Sequence, residues 1–133
     1  MDTRELGQLG ERLACEYLVD NGYNILGKNW RIKLGEIDII AQKKSPFWRF
    51  FLRNNNPVCF VEVKTIVNNR NFFPEEKVDF RKQRKLKQLA EIWLVKNKFA
   101  QDYPYQIDIA GILVNTTTQK ATVHYFSNTV QET

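Results

Sequence analysis

Apolar residues recur along the chain with two periods. From Thr3 to Asn21 the spacing is helical, and Leu6, Leu9, Leu13, Tyr17 and Leu18 share one side of the wheel with Gly7, Gly10 and Ala14. Asp2 or Thr3 can cap the start of this helix, and Gly22 stands in the position after its end. Two glycines weaken a helix, and a close approach to a sheet would account for them. Tyr23 to Arg31 then reads as a strand, followed by two short apolar runs, Gly35 to Ala41 and Val58 to Thr65. Beyond Pro74 a second helix is expected, capped by Asp79 and running to about Asn97. Its apolar stripe is Val78, Leu86, Leu89, Ala90 and Trp93. Tyr105 to Val114 and Ala121 to Phe126 complete the pattern as strands joined by a polar turn. The order α-β-β-β-α-β-β predicts an α/β fold, a mixed central sheet flanked by helices, formed by residues 1–133 as a single domain.

The two short apolar runs carry charges where burial makes charge costly. Alternate side chains of a strand share a face, so Glu62 and Lys64 project together, with Val61 and Val63 on the other side. The same rule sets Asp38 opposite Ile37 and Ile39. If the two strands pair, Asp38, Glu62 and Lys64 converge. Two readings fit: a cross-strand ion pair on a solvated face, or a site where two carboxylates beside an ammonium hold Mg²⁺ or Mn²⁺ through oxygen. Glu11, at the margin of the first helix's buried arc, either reaches over the sheet towards these carboxylates or stays in water.

Composition changes the picture in one respect. The chain is 43% hydrophobic and 26% charged, as expected for a globular protein. Its twenty Lys and Arg outnumber fifteen Asp and Glu, which favours polyanionic partners. The excess is concentrated: Lys77 to Lys87 holds six basic residues and one acid. Lys82 falls on the apolar row of that helix, four residues before Leu86, so it snorkels to water or meets an anion. Arg81, Arg84, Lys85 and Lys87 would form a solvated face suited to phosphates. Arg70 lies in a polar loop beside the proposed site.

The connection Gln42 to Pro57 interleaves Lys43, Lys44, Arg49 and Arg53 with Phe47, Trp48, Phe50 and Phe51. Such a segment suits single-stranded nucleic acid, self-association or extension of the core. Cys15 and Cys59 read as core thiols of a cytoplasmic protein, too few for a disulfide framework or a zinc site. One histidine, His124, argues against a Ser-His-Asp triad and excludes a poly-histidine metal centre. Asp108 reads as a structural hydrogen-bonding residue. No apolar run is long enough to span a bilayer, so no membrane partner is expected.

Asp38 followed at a distance by Glu62-X-Lys64 resembles the catalytic pattern of the restriction-endonuclease-like superfamily. Gly10-Glu11, Gly22-Tyr23-Asn24, Asn29-Trp30-Arg31, Gly35 to Ala41, Phe60 to Thr65, Lys82 and Trp93-Leu94 together resemble the YraN-like family of predicted endonucleases, over nearly the whole chain. That resemblance implies a restriction-endonuclease-like fold akin to archaeal Holliday-junction resolvases. It also implies Mg²⁺ or Mn²⁺ held by Asp38, Glu62 and the Val63 carbonyl, with Lys64 beside them and Glu11 as an accessory acid. The expected activity is metal-dependent hydrolysis of nucleic acid, DNA foremost and branched DNA included, with a homodimer as the expected assembly. The rival expectation is a non-catalytic nucleic-acid-binding or protein-interaction module on the same fold. Two departures stand out: the family joins these strands by a shorter turn than Gln42 to Pro57, a difference that could obstruct the site, and has Arg where this chain has Ile66.

Overall fold

The computed structural model describes residues 2–46, 54–68 and 80–128. Asp2 starts the first helix, α1 (Thr3–Asp20), by accepting a 2.8 Å hydrogen bond from the Glu5 amide. Asn21 caps its end, and Gly22 takes the left-handed conformation (φ 87°) that turns the chain into β1 (Tyr23–Ile32). A two-residue turn leads into β2 (Gly35–Lys43). The remaining elements are β3 (Val58–Val67), α2 (Phe80–Lys96), β4 (Tyr105–Asn115) and β5 (Lys120–Phe126). This is the element order the sequence predicts. The Asp79 cap and Val78 lie outside the described residues.

The five strands form one mixed sheet in the order β1-β2-β3-β4-β5. The β3–β4 pair is parallel and its neighbours are antiparallel. A parallel pair needs a crossover connection, and α2 supplies it. Each helix covers one face. Ala14 and Leu18 of α1 pack on Ile39, Ala41, Cys59, Val61, Ala110 and Ile112. Leu86, Leu89, Ala90, Trp93 and Leu94 of α2 pack on Ile37, Ile40, Phe60, Ile107 and Ile109. Phe60 and Trp93 meet edge to face, with ring centroids 5.7 Å apart.

Only one of the two helical glycines is a contact point. A Cβ at Gly10 would run into the Thr65 hydroxyl of β3, whereas one at Gly7 would meet nothing within 4 Å. Gly10 lies on the buried row with Ala14 and Leu18, and Gly7 lies a turn further towards the helix start.

The long connection is anchored away from the charged residues. Gln42 donates to the Asn56 carbonyl (2.9 Å) and the Tyr103 hydroxyl (2.8 Å), while Asn54 and Asn56 donate to the Lys43 carbonyl. These anchors sit where Gln42 pairs with Val58, four residues along β2 from Asp38, or roughly 13 Å of strand. The root of the connection therefore leaves the sheet away from Asp38. Its basic and aromatic residues 47–53 lie outside the described residues.

Asp108 is fully buried on the α1 face of β4. It accepts hydrogen bonds from the Gln106 amide (2.9 Å), the Asn128 backbone N–H (2.7 Å) and the Tyr125 hydroxyl. Burial and this carboxylate push the Tyr125 phenol upward. Asp108 is thus a tie between β4 and the chain after β5, the structural role expected of it. His124 is exposed on β5, the edge strand.

Candidate functional site

Pairing between β2 and β3 ends at Ile39 and Val61, whereas pairing between β1 and β2 continues to Ile32 and Gly35. Beyond Ile39, β2 follows β1 and leaves β3, opening a fork in the sheet. The twist corrects one expectation. Ile37 and Ile39 do not share a side: Ile37 enters the α2 core and Ile39 the α1 core. Asp38, between them, turns into the fork, where its Oδ2 accepts a 2.8 Å hydrogen bond from the Val63 N–H. A strand residue presents its N–H and C=O to the same edge, so the Val63 carbonyl is on the fork side too.

Glu62 and Lys64 share the α2 face of β3 with Phe60, while Val61 and Val63 pack towards α1. Lys82, in the first turn of the described helix, completes the group. Its ammonium forms an ion pair with Glu62 Oε1, and Lys64 Nζ lies 3.4 Å from the same oxygen. Glu62 Oε2 is buried and has no hydrogen-bond partner among the described residues. The Glu62 side chain is only 12% exposed, against 32% for Lys64 and 37% for Lys82. Asp38, Glu62, Lys82 and Lys85 line one cleft of about 300 Å³ between the fork and α2. Gly35 lets the start of β2 pass close to α2, since a Cβ there would lie 3.2 Å from Lys85 Cε.

Asp38 also borders a groove of about 700 Å³ along α1, together with Glu11, Lys28 and Asn29. With its amide turned to suit both groups, Asn29 donates to both Glu11 carboxylate oxygens at 3.2 Å. Asn29 adopts a left-handed conformation (φ 49°), which asparagine tolerates better than most residues. The family resemblance already included Asn29 in Asn29-Trp30-Arg31, without assigning it a role. Glu11 is thus brought to Asp38 from the side opposite Lys82.

The electrostatics are unbalanced at Asp38. Burial raises its carboxyl to about 6, and the charges of Glu62, Glu11 and Glu36 push the same way, against the Val63 N–H. Lys64 is pushed down by burial and the Lys82 cation, with Glu62 opposing. Lys82 is held up by Glu62 despite burial.

A buried carboxylate oxygen without a partner among the described residues, a carboxyl that burial makes harder to ionise, and a backbone carbonyl at a strand edge make an oxygen-donor set suited to a hard divalent cation. Among the described residues no three His, Cys, Asp or Glu side chains cluster closely enough to hold a metal by themselves. The protein's share of a coordination sphere would therefore be Asp38, Glu62 and the Val63 carbonyl, with water supplying the rest, as Mg²⁺ commonly accepts.

Arg81, Arg84 and Lys85 are all exposed on α2, and Lys85 also lines the cleft. The reason is helical spacing: Lys85 follows Lys82 by three residues and precedes Leu89 by four. Arg70 lies outside the described residues. Ile66 is half-buried in β3, in the alternating row of Glu62 and Lys64.

A model of the Uncharacterised protein family UPF0102 matches residues 10–112, which include Glu11, Asp38, Glu62, Lys64 and Lys82. A UPF0102 protein of Clostridium botulinum (strain Kyoto / Type A2) is 34% identical over 129 residues, covering 97% of this chain and 96% of the relative. Another, from Caldanaerobacter subterraneus subsp. tengcongensis, is 36% identical over 115 residues, covering 86% of this chain and 84% of the relative. Among solved structures, SfsA of Pyrococcus furiosus in complex with Ca²⁺ aligns with a TM-score of 0.41 at 14% identity, over 98% of this chain and 66% of that one. Matched by the family model from α1 to β4 and by relatives about one-third identical along nearly its full length, the chain belongs to the UPF0102 family.

Proposed function

We propose that this protein is a metal-dependent nuclease that hydrolyses phosphodiester bonds of nucleic acid, DNA foremost and branched DNA among its substrates. The observation that carries the reading is the meeting of Asp38, Glu62, Lys64 and Lys82 at the β2–β3 fork, with Glu62 Oε2 buried and unpartnered among the described residues. Asp38, Glu62 and the Val63 carbonyl would hold Mg²⁺ or Mn²⁺. When bound, such an ion polarises a phosphoryl oxygen and lowers the pKa of water.

The chain's own residues divide the remaining work. Lys64, beside Glu62 on the same face of β3, orients the attacking water through Nζ and offsets negative charge that grows on the phosphoryl oxygens. Glu11, steadied by Asn29, is an accessory acid facing Asp38 from α1. Lys82 and Lys85 meet the phosphate from the rim, and Arg81 and Arg84 neutralise backbone phosphates further out. Arg70 belongs to the same proposal as a phosphate contact.

The proposal extends to a homodimer, in which a second cleft would reach the opposite strand. Ile92 and Val95 on the outer side of α2, with Leu34 of the β1–β2 turn, form an apolar strip where two copies can meet, Val95 being 71% exposed. The reading also places the protein in the cytoplasm, where thiols such as Cys15 and Cys59 stay free. Among the described residues no helix is long and apolar enough to cross a membrane.

The ion pair of Lys82 with Glu62 favours a second reading, a nucleic-acid-binding module that does no cutting, because an ammonium already neutralises one proposed ligand. One assay separates the two. Purified protein is incubated with end-labelled branched, duplex and single-stranded DNA, and with RNA, in Mg²⁺, Mn²⁺ or EDTA. Cleavage that needs the metal and is lost in Glu62→Gln and Lys64→Met supports the nuclease. Salt-sensitive binding with no cleavage in any metal selects the binding module.

A further inference from the structure

The charges of the cleft are distributed unevenly over one carboxylate. Two ammonium groups, from Lys64 and Lys82, gather at Glu62 Oε1, while Oε2 is buried without a partner among the described residues. The two lysines arrive differently. Lys64 rises from β3 inside the sheet, whereas Lys82 reaches in from the first turn of the described part of α2, at the rim. A long, flexible stem rooted at the rim can swing between the carboxylate and the mouth of the cleft at little cost.

With Asp38, Glu62, Lys64 and Lys82 all ionised, the four charges sum to zero. A divalent cation adds two positive charges to that set, and the surplus falls hardest on the ammonium that shares the Glu62 carboxylate and has somewhere to go. We propose that Lys82 is a tethered counter-ion: it neutralises Glu62 in the metal-free protein, yields the carboxylate to a divalent cation, and then faces the phosphate of bound nucleic acid. This inference rests on the metal-dependent reading of the cleft. It assigns Lys82 a positioning role: it keeps a buried carboxylate paired until metal arrives, and it couples metal binding to nucleic-acid binding, since the displaced ammonium gains a phosphate partner only when both are present.

The test is Mn²⁺ binding, followed by electron paramagnetic resonance of the free ion, for wild type, Lys82→Met, Lys82→Gln, Lys82→Arg and Glu62→Gln. A charge-assisted contact of this kind is worth about tenfold in a competing equilibrium, so Lys82→Met and Lys82→Gln should bind Mn²⁺ about tenfold more tightly than wild type. Lys82→Arg, which restores the cation, should return to within about threefold of wild type. A non-cleavable phosphorothioate duplex should tighten Mn²⁺ binding in wild type and lose that effect in Lys82→Met. Equal or weaker Mn²⁺ binding by both neutral variants overturns the counter-ion role while leaving the metal centre standing. Absence of saturable binding in wild type, unchanged by Glu62→Gln, overturns the metal centre and this inference with it.

Discussion

Asp38 Oδ2 accepts the Val63 N–H at 2.8 Å across the gap where β2 and β3 have stopped pairing. A side chain thus supplies the hydrogen bond that a strand neighbour would otherwise give, and the acidic group is fixed at the fork by the sheet itself. Two substitutions separate this structural service from the charge. Asp38→Ala leaves a backbone donor without its acceptor and should cost about 1–3 kcal/mol. Asp38→Asn keeps an acceptor there and removes the ionisation.

The pH dependence of Asp38→Asn has a definite sign. The folded-state carboxyl is raised from 3.8 to about 6, so between pH 4 and 6 the folded chain keeps a proton that the unfolded chain releases. Its contribution is fully present below about pH 4 and is lost as pH rises through 6. Wild type and Asp38→Asn should therefore match near pH 4, and the variant should be more stable by about 3 kcal/mol at pH 7. Urea unfolding across this range checks it. Added Mn²⁺ at pH 7 should narrow the gap by stabilising only the wild type.

Gly10 sets how closely α1 approaches β3. Gly10→Ala would press a methyl group into the Thr65 hydroxyl and should destabilise by about 1–3 kcal/mol. Thr65→Ala in the same chain should restore most of the loss, whereas Gly7→Ala should be neutral or mildly stabilising. Thermal unfolding of the four proteins reads the pattern.

Much of this site was legible in the sequence. Glu62 and Lys64 share a face because a strand repeats every two residues, and Lys82 points into the cleft because it lies on the row of Leu86 and Leu89. The placement of Asp38 was not readable by the same rule. Ile37 and Ile39 enter different cores because β2 stays with β1 while it leaves β3, and such a fork depends on where a ladder ends. Asn29 as the partner of Glu11, and the anchoring of the long connection by Gln42, Asn54 and Tyr103, are tertiary contacts that no local spacing encodes. Lys85 is exposed, as a solvated face requires, and its spacing of three residues from Lys82 also brings it to the cleft.

Asp108 tests whether a buried carboxylate in this sheet must belong to the site. Asp108→Ala removes the acceptor of the Gln106 amide, the Tyr125 hydroxyl and the Asn128 N–H, and should cost roughly 3 kcal/mol. Calorimetry should record the loss while Mn²⁺ affinity at low temperature stays at the wild-type value.

Arg81 and Arg84 should act on nucleic acid through charge alone. Replacing both by alanine should weaken duplex binding at every sequence and reduce the slope of log affinity against log salt by about 2. Fluorescence anisotropy over a salt series measures that slope.

The most direct measurement is anomalous diffraction from crystals grown with Mn²⁺. The expected result is a peak at the β2–β3 fork contacting Asp38, Glu62 and the Val63 carbonyl, absent from Glu62→Gln crystals. A fork without Mn²⁺ at a saturating concentration, or a peak held by other residues, would contradict the assignment of this cleft as a metal-dependent catalytic centre.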